Sequence, residues 1–373
     1  MMTDSNLIGV KSTAISMKKP TPVISVSGSR YECGYQHGEQ ARELVKYNID
    51  YYFGWWKRNL KMSKQEVYDR ADSVIKVCKE YDAGLVEEIR GIADAVDSDL
   101  EAIVSMNGRY ELAWASPAQL MGGCTCIGAL PRRSETGDTL LAQNWDYRVS
   151  LNGSCIVLKA HVDDGPSVLM HTEAGIIGHK GLNSNGIGIV INAMVSGLDR
   201  LGESVPFFLV CRKMLDSPRF SEAAKALLNA KRSLSYNVML AGEGVMVDLE
   251  AHPTDISIIN PEEGVLAHTN HFLGDRAFKV KDNFVLSETS SINRYITASE
   301  NLASSKVHSF ESFKEILCDH FDYPTSICHH PNPDNDEDHW EETVSSVFMV
   351  PEKKLFMYTD GPPCSNPYQE VPF

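Results

Sequence analysis

The 373-residue sequence predicts an α+β fold, helical in its first third and rich in strands afterwards. Three observations predict it. Helical periodicity runs from about Gln36 to Ala115. Near Gly122 the texture changes to short β-type runs separated by turn signals. From there strands follow strands and helices follow helices, without the regular alternation of a parallel βαβ sheet.

Residues 1–20 read as a flexible tail. A short strand over Pro22–Val26 comes next, and the glycine-marked stretch GSRYECGYQHG reads as a turn. Within the helical region, Ser63 with Glu66 and Ser98 with Glu101 have capping-box spacing and predict two helix starts. The segment EQARELVKYNIDYYFGWW carries Tyr51, Tyr52, Trp55 and Trp56 at helical spacing, which predicts an aromatic stripe packed in a core. Beyond Gly122, the runs CTCIGAL, DTLLAQNW, SCIVLKAHV, SVLMHTE and GIGIVINAM read as strands, divided by turns such as SETGD, VDDGP and NSNG. QNWD is read as a strand end carrying Asp146. Helices are expected near Pro206–Leu215 and Ser221–Ala230. The strands SYNVMLAG, VMVDLEA, DISIINP and GVLAHTN follow, then helices near Ser291–Leu302 and Phe310–His320, then the closing strands SSVFMV and KLFMYTD. The acidic, proline-bearing run 331–342 reads as a solvated loop.

Composition narrows the function classes. There are 35 Lys+Arg against 50 Asp+Glu, a formal charge of −15. A nucleic acid or an anionic membrane as partner needs a positive face, so both are disfavoured. No apolar run of about 18 residues is present to span a bilayer. The N-terminus has no continuous apolar stretch of the secretory kind, so the expected location is cytoplasmic. Nine cysteines at irregular spacing in a chain this long point to reduced thiols rather than a disulfide scaffold. The GxGxxG and GxxxxGK[ST] phosphate-binding patterns are absent.

One stretch concentrates chemistry. Gly122-Gly123-Cys124 lies where the helical and β-rich textures meet, and two glycines before a cysteine admit an unusual backbone and close approach by a side chain. QNWD follows, then HTEAGIIGHKGLNSNGIGIVINA (171–193), HTNH (268–271), NR (293–294) and YPTSIC (323–328). With Gly28, Gly34, His37 and Gly38 near the start, these motifs in this order resemble the acyl-coenzyme A:isopenicillin N acyltransferase family, the self-cleaving cysteine enzymes of the N-terminal-nucleophile (Ntn) superfamily. The likeness runs from about residue 22 to 360. Penicillin V acylases, bile-salt hydrolases and the insect N-β-alanyl-dopamine hydrolase are similar more remotely.

The resemblance implies a four-layer αββα core with a helical N-terminal segment, and self-cleavage between Gly123 and Cys124. One composite domain would then comprise an α chain (21–123, after the tail 1–20) and a β chain (124–373), held as a heterodimer of its own fragments. The freed α-amine of Cys124 titrates near about 7.7–8.0 and would serve as base for its own thiol. Carried over position by position, Asp146 orients the new terminus, Asn270 supplies the oxyanion donor and Arg294 backs the site. Asn192, Ser235 and Ser326 are supporting residues. The implied reaction forms an acyl-thioester on Cys124 and passes the acyl group to water or an amine. No cofactor and no metal are implied, and coenzyme A thioesters are admitted as acyl donors beside small-molecule amides. Gln143 stands where the bile-salt and penicillin V hydrolases carry an arginine, which favours the acyltransferase branch. The turn PRRSETGDT (131–139) is longer than the family's. His329-His330 stands where a basic residue is expected, which weakens the case for recognition of a substrate carboxylate. Two alternatives stay open: an N-acyl amide hydrolase of the β-alanyl-amine or penicillin V acylase type without transferase activity, and a non-catalytic Cys/His metal or binding protein using Cys124, Cys126, His268, His271, His329 and His330, whose spacing is not that of a usual structural zinc site.

Overall fold

A computed structural model describes residues 20–112, 123–275 and 280–373. All of the expected tail 1–20 but its last residue, and the texture change at Gly122, lie outside the described residues.

Fourteen strands among the described residues form two sheets. In chain order they are β1 (Val23–Gly28), β2 (Cys124–Ala129), β3 (Leu140–Arg148), β4 (Cys155–Val162), β5 (Ser167–Glu173), β6 (Gly181–Asn183) and β7 (Gly188–Ala193). The second half adds β8 (Tyr236–Gly242), β9 (Val245–His252), β10 (Asp255–Ile259), β11 (Val265–His268), β12 (Glu341–Val350), β13 (Leu355–Tyr358) and β14 (Gln369–Glu370). One sheet has the order β1-β4-β5-β6-β7-β8-β9-β10, the other β11-β2-β3-β12-β13-β14. β1 pairs with β4 in parallel, and the remaining ladders are antiparallel.

The central strands β2, β3 and β12 of the six-stranded sheet are buried on both faces, and their period of two sorts side chains into two cores. Cys126 of β2, Leu141 of β3 and Val347 and Met349 of β12 point between the sheets. There they meet Leu169, Val190 and Met239 of the eight-stranded sheet. Their neighbours Ile127, Leu140, Ala142, Phe348 and Val350 point the other way, onto Ala298 and Leu302 of helix Ser290–Ser304 and Phe313 and Ile316 of helix Phe310–Leu317. The outer face of the eight-stranded sheet is covered by helices Arg30–Gln40, Phe207–Leu215 and Phe220–Asn229, with helix Lys64–Val96 packed on Arg30–Gln40. The result is helix, sheet, sheet, helix, the four-layer order the resemblance implies.

Several local expectations are corrected. GSRYECGYQHG is a helix, Arg30–Gln40, started by a Ser29/Glu32 capping box. Its glycines serve helix contact rather than a turn. A Cβ on Gly34 would lie 1.8 Å from the Glu88 carbonyl oxygen, and one on Gly91 2.2 Å from that of Tyr31, so the two helices touch backbone to backbone. The Ser63/Glu66 capping box begins helix Lys64–Val96 as expected. Helix Leu100–Asn107 starts at Asp99 rather than Ser98, without a side-chain cap. The Asp99 carboxylate is instead engaged by Tyr68 Oη at 2.7 Å and Lys64 Nζ at 3.2 Å. β3 runs on to Arg148, so Asp146 lies inside a strand and not at its end. The short strand β6 and helix Asn283–Ser287 were not anticipated.

The aromatic stripe packs as expected, with Tyr52, Trp55 and Trp56 buried. Tyr52 also donates to Glu173 Oε2 at 2.5 Å. Arg109 forms a 2.7 Å ion pair with Glu173 in which both side chains are fully buried, and its guanidinium lies within 5.4 Å of the ring centroids of Tyr52, Tyr110, Tyr147 and Phe208. The helical segment before residue 113 is thus anchored to the β-rich part by a buried charge pair as well as by apolar packing. All nine cysteines are free thiols. No helix among the described residues is long and apolar enough to cross a membrane.

Candidate active site

Cys124 opens β2 and pairs across the ladder with Trp145 of β3. Strand parity sets it on the same face as Cys126, toward the space between the sheets. Its side chain is buried. Its backbone N–H donates to Asn270 Oδ1 at 2.9 Å. Its carbonyl accepts from Arg294 Nη1 at 2.7 Å and from Asn192 Nδ2 at 3.1 Å. Arg294 Nη2 donates to Asn270 Oδ1 at 2.8 Å, and Asn270 Nδ2 donates to the Ala193 carbonyl at 2.9 Å. Two donors converge on one atom of the Asn270 amide, which fixes that atom as the oxygen. β2, β7, the end of β11 and helix Ser290–Ser304 each contribute one of these residues, so the cluster exists only in the folded chain.

Asp146 lies beside this group. Its backbone N–H donates to the Gly123 carbonyl at 2.8 Å, and its Oδ1 accepts from Thr343 Oγ1 at 2.6 Å. Its Oδ2 is buried without a hydrogen-bond partner among the described residues. A Cβ on Gly123 would sit 3.0 Å from that oxygen and 3.3 Å from Arg294 Nη2, so glycine is what the space beside the carboxylate accepts. Burial raises the Asp146 carboxyl to about 7, with Arg294 and Thr343 pulling the other way. Burial, reinforced by Asp146, pushes the Cys124 thiol up to about 12, so in the continuous chain it is a thiol and not a thiolate.

The structure therefore brings together Gly123, Cys124, Asp146, Asn192, Asn270 and Arg294. Ser235 and Ser326 lie elsewhere. Ser235 Oγ donates to Asp199 Oδ1 at 2.5 Å, an oxygen shared with Ser196 Oγ at 2.6 Å. Ser326 Oγ donates to the Cys328 carbonyl at 2.7 Å. Gln143 spends both ends of its amide on the Ile191 backbone, at 2.8 and 2.9 Å, and so ties β3 to β7 across the two sheets.

Behind the site a chain of four polar residues, joined to Asn192 through Asn237, escaped the sequence reading as part of the site. Asn237 Nδ2 donates to Asn192 Oδ1 at 3.1 Å and to Asp248 Oδ1 at 2.7 Å. His268 lies 3.0 Å from Glu250 Oε1 and 3.7 Å from Asp248 Oδ2, while its Nδ1 is 2.7 Å from the Thr269 carbonyl. With acceptors at both ring nitrogens, burial lowers the His268 pKa but the carboxylates outweigh it, and the net shift is upward. The available signal was in VMVDLEAH, where Asp248 and Glu250 share one face of an otherwise apolar strand. Lys180 was also missed. It is fully buried, 3.4 Å from His171 Nδ1 and 4.2 Å above the Trp145 ring centroid, and burial brings its amine down to about 7.

A cavity of about 70 Å³ opens on the Gly123 side, bounded by Gly123, Phe284, Glu288, Arg294, His329 and Glu341. Burial holds the His329 ring down to about 3, so it faces the cavity uncharged, and raises Glu341 to about 7. A larger cavity of about 370 Å³ lies among the N-terminal helices near Phe53, Met62 and Tyr68 and contains none of the site residues.

Residues 133–362, well over half of the chain and spanning Asp146, Asn192, Asn270 and Arg294, match the model of the family described as acyl-coenzyme A:6-aminopenicillanic acid acyl-transferase. The chain belongs to this family. Among characterised relatives, it is 28% identical over 308 residues to the 40 kDa form of the acyl-coenzyme A:6-aminopenicillanic-acid-acyltransferase of Emericella nidulans, covering 82% of this chain and 84% of that one. Solved structures similar in part include a Caenorhabditis elegans ortholog of N-acylethanolamine-hydrolyzing acid amidase (18% identity, TM-score 0.45, 67% of this chain and all of that one). A mutant conjugated bile acid hydrolase from Clostridium perfringens is another (13% identity, TM-score 0.42, 66% of this chain and 97% of that one). The chain is an enzyme of the acyltransferase and amidohydrolase kind.

Among the described residues, the Cys/His zinc set considered from sequence does not assemble: Cys124 and Cys126 sit in β2, His268 is engaged by Glu250, and the thiols and rings that do converge share only His330 with that set.

Proposed function

We propose that this family member cuts its own chain between Gly123 and Cys124 and then works as an Ntn cysteine enzyme. It would form an acyl-thioester on Cys124 and deliver the acyl group to water or an amine. The observation that carries this reading is the junction itself. Gly123 is wedged against the unpartnered Asp146 Oδ2 and Arg294, its carbonyl accepts from Asp146 N–H, and the Cys124 nitrogen already rests on Asn270 Oδ1.

In the first step Cys124 Sγ attacks the Gly123 carbonyl carbon, with the Asp146 N–H stabilising charge on the carbonyl oxygen. The thiol gives up its proton as the C–S bond forms, the Gly123–Cys124 C–N bond breaks, the departing nitrogen takes that proton and becomes an amine, and a thioester joins Gly123 to Sγ. Water cleaves that thioester, leaving a carboxylate on Gly123 and a free thiol on Cys124. Departure of Gly123 opens the adjoining cavity onto Sγ.

In turnover, the α-amine of Cys124 takes the thiol proton and the thiolate attacks the acyl carbon of the substrate. The leaving group departs with the proton from the ammonium. Water or an amine then attacks the thioester and restores the thiol. Asn270 and Asp146 hold the terminal nitrogen, and Arg294 holds Asn270. The substrates are amides or acyl thioesters of small molecules, coenzyme A thioesters among them. The two fragments stay together as a heterodimer, since Arg109 and Glu173 lie on opposite sides of the cut. Hydrolysis and transfer share one intermediate and differ in the nucleophile admitted. The cavity offers two carboxyl groups and a neutral His329, and the one arginine facing it is already bonded to Asn270 and the Cys124 carbonyl.

Denaturing electrophoresis with mass spectrometry tests this. The wild type should run as fragments ending at Gly123 and starting at Cys124, Cys124→Ala should remain one chain, and N-acyl amines or acyl thioesters should leave an acyl group on Cys124. A wild type that acts on such substrates as an uncut chain would sink the reading.

A further inference from the structure

We propose that His320, Cys328, His330 and Cys364 form a tetrahedral Cys2His2 site for a thiophilic divalent cation, zinc foremost, with two of its ligands flanking His329, which lines the cavity. The four ligand atoms all lie within 4.8 Å of one another. His330 Nε2 is 3.0 Å from His320 Nε2, 3.6 Å from Cys328 Sγ and 3.5 Å from Cys364 Sγ. Zinc bonds of about 2.3 Å to sulfur and about 2.0–2.1 Å to nitrogen give tetrahedron edges of about 3.6 Å for N···S and about 3.3 Å for N···N. The three separations from His330 Nε2 match those edges to within a few tenths of an ångström, and the other pairs, all within 4.8 Å, would draw together on an ion.

The backbone is arranged to gather these groups. Cys328 N–H donates to the Asp319 carbonyl and His330 N–H to the Pro324 carbonyl, each at 3.0 Å, which folds 318–330 back on itself. Cys364 arrives from the turn after β13, where Ser365 and Asn366 N–H both bond the Pro362 carbonyl. Tyr323 packs on the rings of His320 and His330. His320 and Cys364 are exposed while Cys328 is buried, so an ion can reach the site from solvent and meet one fixed thiol within. Two thiolates balance a divalent charge, and the donor set of two sulfurs and two imidazoles is one zinc takes in closed structural sites. The thiols give up their protons to solvent on binding.

The position gives the site a purpose. His329 stands between two of the ligands, its N–H donates to Thr343 Oγ1 at 2.9 Å, and its carbonyl accepts from Thr343 N–H at 3.0 Å. Thr343 Oγ1 in turn donates to Asp146. An ion bound here would pin the 318–330 segment to the 361–366 turn and so hold the wall of the cavity and the hydroxyl that orients Asp146.

The test uses the full-length protein, reduced and stripped by a chelator, then titrated with zinc against a chromophoric competitor and separately with cobalt. One equivalent should bind, and cobalt should show the visible bands of a tetrahedral ion with thiolate charge transfer in the near ultraviolet. Cys364→Ser and His320→Asn change exposed positions and should fold. Each should weaken zinc by more than the roughly 10–100-fold that loss of an outer-shell partner costs. Cys318→Ser, outside the ligand set, should bind as wild type. Failure of the reduced protein to bind either ion, undiminished binding by Cys364→Ser, or a Cys328–Cys364 disulfide that persists under reducing conditions would overturn the proposal.

Discussion

Arg294 and Asn270 are locked together at 2.8 Å, with the Asn270 oxygen facing both the guanidinium and the Cys124 N–H. Arg294 does this while its other terminal nitrogen holds the Cys124 carbonyl at 2.7 Å. A planar fork can span two acceptors in this way and a single ammonium cannot. Arg294→Lys keeps the charge and should lose the bridge. Self-cleavage followed by gel densitometry should be slower than wild type; an unchanged rate would remove Arg294 from the positioning of the junction.

The same oxygen makes Asn270 informative. An oxyanion role rests on its amide N–H, whereas the observed contact to Cys124 uses its carbonyl. Asn270→Asp keeps an acceptor for Cys124 and Arg294 but removes the donor. If donation to the oxyanion is what counts, Asn270→Asp and Asn270→Ala should both cost on the order of 10²–10³ in kcat. Near-wild-type turnover in the aspartate variant alone would assign Asn270 to holding the terminal nitrogen.

Gly123 should matter for maturation and not for turnover. A methyl at residue 123 meets Asp146 Oδ2 at 3.0 Å and Arg294 Nη2 at 3.3 Å, so Gly123→Ala displaces the junction. Cleavage of Gly123→Ala should be slowed in a time course. Any fragment 124–373 that forms should have the wild-type kcat, because residue 123 has left the site.

Asp146 predicts a pH dependence for the uncut chain. Its folded pKa is raised from 3.8 to about 7, so between those values the folded state holds a proton the unfolded state has lost. The stabilising contribution is complete below about 3.8 and is lost as pH rises through 7, with a slope approaching about 1.4 kcal/mol per pH unit. Urea titrations of Cys124→Ala and Cys124→Ala/Asp146→Asn should differ by this slope. Parallel curves would show that Asp146 does not titrate there.

The buried Arg109–Glu173 pair should hold the two fragments together after cleavage. Removing one partner strands the other charge in a dry site, a loss of about 3–5 kcal/mol. Arg109→Met should lower the denaturation midpoint and release fragments on size exclusion under conditions where the wild type stays intact.

Much of the site was legible before any coordinates. Cys124, Asp146, Asn270 and Arg294 stand in short motifs whose order along the chain is distinctive, and Asn192 ends a readable strand. Asp146 was misplaced to a strand end because Tyr147 and Arg148 do not continue an obvious apolar alternation; pairing with β12, distant in sequence, extends the strand. The helix Arg30–Gln40 was hidden because Gly34 and Gly38 look like turn residues until the helix they pack against is in view.

Local sequence, through capping boxes and period-two strands, determined the α+β class, because such signals are written within a few neighbouring positions, and the order of short motifs, through the family resemblance, pointed to Gly123-Cys124 and the residues to watch. Only the tertiary structure decided which groups meet. Asn237 and Asp248 join Asn192, Thr343 reaches Asp146, Ser235 goes to Asp199, and His320, Cys328, His330 and Cys364 converge. Such pairs are set by strand register and sheet stacking across long stretches of chain, and side-chain hydrogen bonds and metal-ligand geometry are satisfied in space, without any fixed spacing along the sequence.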